Sequence, residues 1–232
     1  MQLNAPGGPG RERTSHGWVF FAVPEEARPF RRKLATLGPN VPSASIDVLV
    51  TGMGAQNAER AFQSALRAGT PRPDWILTCG FAGGLNPQWR SGDLGYDADP
   101  EFPLARGLAN DGRPRWQFHC AATVAITVAE KSGLRATTHA DAVEMESGVL
   151  RKLARDHGIP SATLRVISDA ADEPLPLDFN TLMTSAMTLS LPRLVGRLLG
   201  SPGKIPTLIR FGRQTQAAAE KLAAGLVDVL RA

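Results

Sequence analysis

Asp141-Ala142-Val143-Glu144-Met145-Glu146-Ser147 and, further on, Thr163-Leu164-Arg165-Val166-Ile167-Ser168-Asp169 are the two stretches that organise this chain. The first alternates in character and then runs into helical spacing, with Val149, Leu150, Leu153 and Ala154 forming an apolar stripe that stops at Gly158-Ile159-Pro160. The second belongs to a buried strand, Ala162 to Ile167, that ends in a hydroxyl and a carboxylate. Two acids delivered at the ends of adjacent elements can grip a sugar diol and protonate a leaving base.

Working outward, Trp18–Val23, Ile46–Val50 and Trp75–Cys79 read as short buried strands. Helices are expected from Pro24, with Glu25 and Glu26 in its first turn, and along Ala58, Ala61, Phe62, Ala65 and Leu66. The strands stop at Thr51-Gly52-Met53-Gly54 and at Gly80-Phe81-Ala82-Gly83-Gly84. Between Asn86 and Pro114, rich in Gly, Pro and Asp, loops with one short strand near Gly92 to Tyr96 are expected. Trp116 to Val128 should hold one or two strands. The remainder reads as helix, broken at Pro192 and at Ser201-Pro202-Gly203, with a final helix from about Pro206 to Leu230. Strands alternating with helices over 232 residues predict an α/β domain whose sheet lies between helices. Residues 1–17, Gly-, Pro- and Arg-rich, are expected to be a flexible extension, and 18–232 the single catalytic domain, with a basic helical part over 179–232.

Composition narrows the function classes. The apolar fraction is 43%, the charged fraction 21% and the net charge +4, too small a charge to argue for nucleic-acid binding. Cys79 and Cys120 form no disulfide framework or zinc spacing, so a reducing cytoplasm is the expected location. No run approaches a secretory core or a membrane span. From Phe179 onward Arg193, Arg197, Lys204, Arg210, Arg213, Lys221 and Arg231 face only Glu220 and Asp228, a bias that either meets anionic lipid or an acidic partner or, twice as readily, is a solvated helix face. The four histidines share no metal spacing, and no nucleophile elbow surrounds Ser147 or Ser168. A dinucleotide fingerprint is also absent, because Asn57 stands where its third glycine belongs.

The glycines after the strands let backbone N–H groups approach a ligand, though such turns usually only redirect the chain. Glu144 and Glu146 share a face if the strand stays extended. By pattern alone Glu146 reads slightly better as a helix N-terminal acid, Asp169 equally well as an N-cap, Glu26 as a first-turn acid, and Met145 as core.

Taken together, Thr51–Asn57, Thr78–Leu85, Ser91-Gly92-Asp93-Leu94, Val143–Glu146 and Arg165–Asp169 resemble, in order and spacing, the purine nucleoside phosphorylase/uridine phosphorylase superfamily. The likeness covers roughly Val19 to Asp172 and is nearest to the methylthioadenosine/S-adenosylhomocysteine nucleosidases and the hopanoid-associated phosphorylases. It implies a three-layer α/β/α sandwich with a central mixed sheet, no cofactor and no metal, and a homodimer. The implied activity is cleavage of the bond between ribose and a purine base. By the resemblance Glu146 binds the ribose hydroxyls with Met145 against the sugar, Asp169 protonates the purine N7 with Ser168 supporting it, and Glu26 orients the attacking water. Val143, Glu144, Phe81, Gly54 and Gly83 join the substrate-binding candidates. The chemistry agrees: protonating the base improves the leaving group, and carboxylates stabilise oxocarbenium character on the sugar. Asp169 then has to be sheltered enough to hold a proton near neutrality.

Three departures stand out. Phe81 replaces the serine of Gly-Ser-Ala-Gly-Gly, the segment before Val143 lacks a clear stacking aromatic other than Phe118, and Leu189 to Arg213 resembles the hopanoid-associated group. Carboxylate at Pro24-Glu25-Glu26 favours water over phosphate as nucleophile, while Arg28, Arg60 and Arg90 keep phosphate as a co-substrate open. The sequence thus leads to an adenine nucleosidase acting on a 5′-substituted adenosine. The alternatives are a phosphorylase of a lipid-linked adenosine such as adenosylhopane and a nucleoside-binding protein without turnover.

Overall fold

The computed structural model describes residues 15–37, 45–69, 71–182, 184, 203 and 205–232. Seven strands form one mixed sheet: β1 (His16–Phe21), β2 (Ser45–Val50), β3 (Trp75–Gly84), β4 (Leu94–Ala98), β5 (Phe118–Cys120), β6 (Ala142–Glu144) and β7 (Ser161–Asp169). The helices are α1 (Pro24–Thr36), α2 (Ala55–Arg67), α3 (Ala105–Leu108), α4 (Val128–Thr138), α5 (Ser147–Asp156), α6 (Phe179–Leu182) and α7 (Ile205–Arg231).

The strand sequences fix the layers. In β1, Val19 and Phe21 point into one core and Trp18 and Phe20 into another, the two-residue period of a strand covered on both faces. The first core lies beneath α1, α3 and α7 and includes Phe30, Leu108, Leu222 and Leu226. The second lies beneath α2 and α5 and includes Phe62, Leu150 and Ala154. Each such side chain, fully removed from water, contributes roughly 1.5–3 kcal/mol. The expected three-layer α/β/α arrangement with a mixed sheet is what these elements build.

β3 is the spine of the sheet. β7 runs parallel to it from Ile76 to Gly83, slipping register between Ala82 and Gly83. On its other side β1 pairs in parallel only as far as Cys79, and β6 pairs antiparallel at Gly83 and Gly84. Between Cys79 and Gly83 that edge of β3 has no strand partner among the described residues, and a carboxylate described below takes the place of one.

Several expectations change. His16 and Gly17 belong to β1, paired with Ser45 and Ile46, so the extension is shorter than 1–17; residues 1–14 lie outside the described part. β3 does not stop at Gly80 but continues to Gly84, because β7 goes on supplying ladder partners. Trp116–Val128 holds only the short β5. At Thr127 the chain begins a helix, α4, whose N-terminus is closed by a capping box: Thr127 Oγ1 accepts from the Glu130 amide, and Glu130 Oε2 accepts from the Thr127 amide. The breaks expected at Pro192, Ser201 and Pro202 lie outside the described residues, as do Arg193, Arg197 and Lys204. In α7 the apolar stripe from Ala218 to Leu230 is buried, whereas Arg210, Arg213, Lys221 and Arg231 are exposed. Among the described residues, no helix is long and apolar enough to cross a membrane.

Candidate active site

The unpaired edge of β3 is where the acids gather. Glu26, in the first turn of α1, accepts the Ala22 and Val23 amides on one carboxylate oxygen, at 3.1 and 3.3 Å. Its other oxygen accepts the Phe81 amide at 2.8 Å, bridging the gap in the ladder. Glu26 is therefore a first-turn acid that also reaches across to β3. Glu146 precedes α5 but does not cap it; its carboxylate turns away and accepts the Gly54 amide at 2.8 Å. Gly54 offers that amide at φ +83°, a conformation that favours glycine.

Arg165, 1% exposed in the middle of β7, holds this corner together. It donates to the Cys79 carbonyl at 3.1 Å and to Glu144 at 2.5 Å, and it lies 3.5 Å from Glu146. Glu144 is tied to its own chain. One oxygen accepts the Glu146 and Ser147 amides and the other the Ser147 hydroxyl, which fastens the entry to α5. Strand geometry ends at Glu144, and the chain folds over its own carboxylate.

Burial dominates the titration of the corner. It pushes Glu26 above the ordinary carboxylate value, against its amide donors and Arg165. It pushes Glu146 up to about 7, aided by neighbouring Glu144 and opposed by Arg165 and the Gly54 amide.

Across Gly83 lies the second centre. Gly83 pairs with Val143 of β6 on one side and Asp169 of β7 on the other, so those two backbones stand about 10 Å apart, two strand spacings. Ser168 donates its hydroxyl to Asp169 Oδ1 at 2.5 Å. Lys131, from α4 and fully buried, donates to Asp169 Oδ2 at 2.5 Å and to the carbonyls of Ala170 and Glu173 at 2.7 Å each. Asp169 caps no helix. Burial raises its pKa, Lys131 and Ser168 work against the rise, and Glu173 adds to it.

The family model described as Phosphorylase superfamily matches residues 118–199. No curated protein matches the chain. Among solved structures, the 5′-methylthioadenosine/S-adenosylhomocysteine nucleosidase of Helicobacter pylori, in complex with butyl-thio-DADMe-Immucillin-A, aligns over 94% of this chain and 98% of its own, at 19% identity and TM-score 0.66. The futalosine hydrolase of the same organism aligns over 93% and 97% at 18% identity and TM-score 0.64. The nucleosidase of Campylobacter jejuni aligns over 94% and 99% at 17% identity and TM-score 0.64. The chain has the phosphorylase-superfamily fold.

Within that fold the sequence candidates divide into two groups. Glu26, Phe81, Gly54 and Glu146 meet at the Arg165 corner, while Gly83, Val143, Ser168 and Asp169 meet at the Lys131 centre. Met145 is buried between β6 and α5. The Phe81 ring packs against the core on the α1/α7 side, so this residue brings its amide to Glu26 rather than a side chain to a ligand. Phe118 packs with Trp116 and lines a 540 Å³ cavity with Arg115, Cys120, Ser147 and Arg151; none of Glu26, Glu146 and Asp169 lines that space. The residues that sequence reasoning missed are Lys131, given no role with α4 unrecognised, and Arg165, quoted only as part of a motif. The capping box at Thr127 and Glu130 was the available signal for the helix. Among the described residues no cluster of His, Cys, Asp and Glu has metal-site geometry.

Gly80 lies inside the Arg165 corner. Its φ is +146°, and a Cβ there would lie 2.5 Å from an Arg165 guanidinium nitrogen and 2.9 Å from both Glu26 oxygens. Gly80→Ala is expected to lower stability by roughly 1–3 kcal/mol through backbone strain alone and to displace the carboxylates. Thermal unfolding and an activity assay on the folded fraction check this; an unchanged melting temperature would show the corner to be loose.

Proposed function

We propose that this chain cleaves the N-glycosidic bond of a purine nucleoside, a 5′-substituted adenosine, with water as nucleophile. The observation that carries this reading is the placement of Glu26 and Glu146 around Arg165 on one side of the Gly80–Gly84 strand end, with Asp169 on the other. A nucleoside laid over Gly83 presents its ribose to the glutamates and its base to the aspartate. Glu146 binds the ribose hydroxyls. Glu26, already fixed by three amides, orients the water and takes its proton as oxygen bonds to C1′. Asp169 delivers hydrogen to N7, so that the C1′–N9 electron pair leaves on a neutral base. An adenine fits this acid because its exocyclic amine donates to the same carboxyl group.

The charge of the corner supports water over phosphate. Both buried cations are engaged: Arg165 by Glu144, Glu146 and a carbonyl, and Lys131 by Asp169 and two carbonyls. Of the arginines that kept phosphate in view, Arg90 pairs with Asp172, Arg60 lies on Asn57, and Arg28 is exposed on α1. A phosphate dianion would meet the carboxylates of Glu26 and Glu146. Purified protein is expected to release adenine from methylthioadenosine or bulkier 5′-modified adenosines at a rate independent of added phosphate. Strict dependence on phosphate would replace hydrolysis by phosphorolysis, and adenosine binding without base release at any pH would leave a binding protein.

A further inference from the structure

The buried Lys131–Asp169 pair is the feature the reaction scheme above does not yet use. An ammonium has three N–H bonds, and Lys131 has three acceptors: Asp169 Oδ2 at 2.5 Å and the carbonyls of Ala170 and Glu173 at 2.7 Å. Three N–H bonds meeting three acceptors is the arrangement of an ammonium on a carboxylate, with one proton shared by the pair. Lys131 is fully buried, and such a charge requires its counter-charge. Asp169 therefore stands as a carboxylate before substrate arrives, with Ser168 donating to its other oxygen. A carboxylate has no hydrogen to give N7.

We propose that Lys131 is a positioning residue and proton store for Asp169: the hydrogen that reaches the base is drawn from its ammonium through the carboxyl group. This deepens the nucleosidase reading and rests on it. In the step, one N–H bond of Lys131 breaks and one N7–H bond forms, and Asp169 begins and ends as carboxylate. The C1′–N9 bond breaks with its electron pair on the base, the water oxygen bonds to C1′, and the water proton passes to Glu26. After release, the Glu26 proton goes to solvent and Lys131 takes one back, so the sum is nucleoside plus water giving base plus sugar. The shared proton belongs to the pair, and its loss follows the pair rather than the carboxyl alone.

Other groups face the pair from each side. Ser168 belongs to β7. In the loop after it, the Glu173 carboxylate is held by the Ala170 amide and by Gln214 of α7, and Asp172 is paired with Arg90. Gly83 of β3 and Val143 of β6 lie beside the pair. No second cation in this set can replace Lys131, since Arg90 is engaged by Asp172 at the surface.

The test is the pH dependence of kcat/KM for adenine release by wild type and Lys131→Met, a substitution of similar length and no charge. Wild type is expected to stay flat from about pH 6 to about pH 9, because the proton belongs to the Lys131–Asp169 pair rather than to the carboxyl alone. Lys131→Met is expected to approach wild-type rates at acid pH and to fall about tenfold per pH unit once the lone Asp169 carboxyl loses its proton, at a lower pH than any fall in wild type. A merely structural lysine would lower activity by the same factor at every pH. That result, or a wild-type profile that itself falls through neutrality, overturns the proposal, and the second needs no variant. Wild-type turnover with coincident profiles sinks this inference alone; no base release by wild type at any pH sinks the nucleosidase reading and this inference together.

Discussion

Asp169→Asn is expected to reduce kcat for adenine release about 100- to 10,000-fold while leaving nucleoside binding measurable. An amide keeps the size of the side chain and an oxygen for Lys131, but it neither holds nor passes a proton to N7. The same change also has a structural effect, because it leaves the fully buried ammonium without its counter-charge. Breaking a buried pair from one side destabilises by about 3–5 kcal/mol, unless the lysine sheds its proton. Chemistry and stability are separable by a double-mutant cycle. Asp169→Asn combined with Lys131→Met is expected to recover much of the melting temperature lost in the single variant and none of the turnover. Full turnover in Asp169→Asn would remove this residue from the reaction, whatever its effect on folding.

The sequence showed the frame of this molecule more clearly than its charge pairing. Strands such as Trp18–Val23 and Ala162–Ile167 were visible as apolar runs because the sheet is covered on both faces, and helices α1, α2 and α5 through their spacing. The continuation of β3 through Gly80 was hidden, since glycine-rich stretches after strands usually end them and only the partner β7 keeps this one extended. Glu26, Glu146 and Asp169 were located through the resemblance; their patterns alone fitted helix-end roles as well. For Glu26 the two readings coexist, as it holds the start of α1 and β3 with one carboxylate. Glu144 and Glu146 take different partners because two acids at i and i+2 share a face only while the strand lasts, and β6 ends there. Lys131 was hidden for another reason. A lysine on an unremarkable helix reads as solvated, and nothing local records that Asp169, thirty-eight positions on, lies against it. Arg165 carried a signal: a lone cation inside an apolar strand requires a carboxylate partner, and two stood in Val143–Glu146.

Arg165→Met should destabilise the candidate site strongly. It removes the guanidinium from between Glu144 and Glu146 and from the neighbourhood of Glu26, three side chains buried to 6% exposure or less. A cost of about 3–5 kcal/mol is expected, the magnitude of leaving buried charge without its partner. The variant has its own remedy, which gives the test its sign. Without the cation the carboxyl pKa values in the folded state rise further, Glu146 from about 7 and Glu26 from an already raised value, while the unfolded chain keeps the ordinary 4.5. Above that ordinary value the folded form then binds more protons than the unfolded one, so stability falls as pH rises through this window and returns as it is lowered. Lowering the pH from about 8 to about 5 should therefore raise the melting temperature of Arg165→Met relative to wild type. Wild type shares the direction through Glu146 but with a smaller amplitude, because Arg165 opposes the rise. A deficit that stays constant with pH would mean that Arg165 acts through packing of its buried stem, and that the carboxylates around it are neutral without its help.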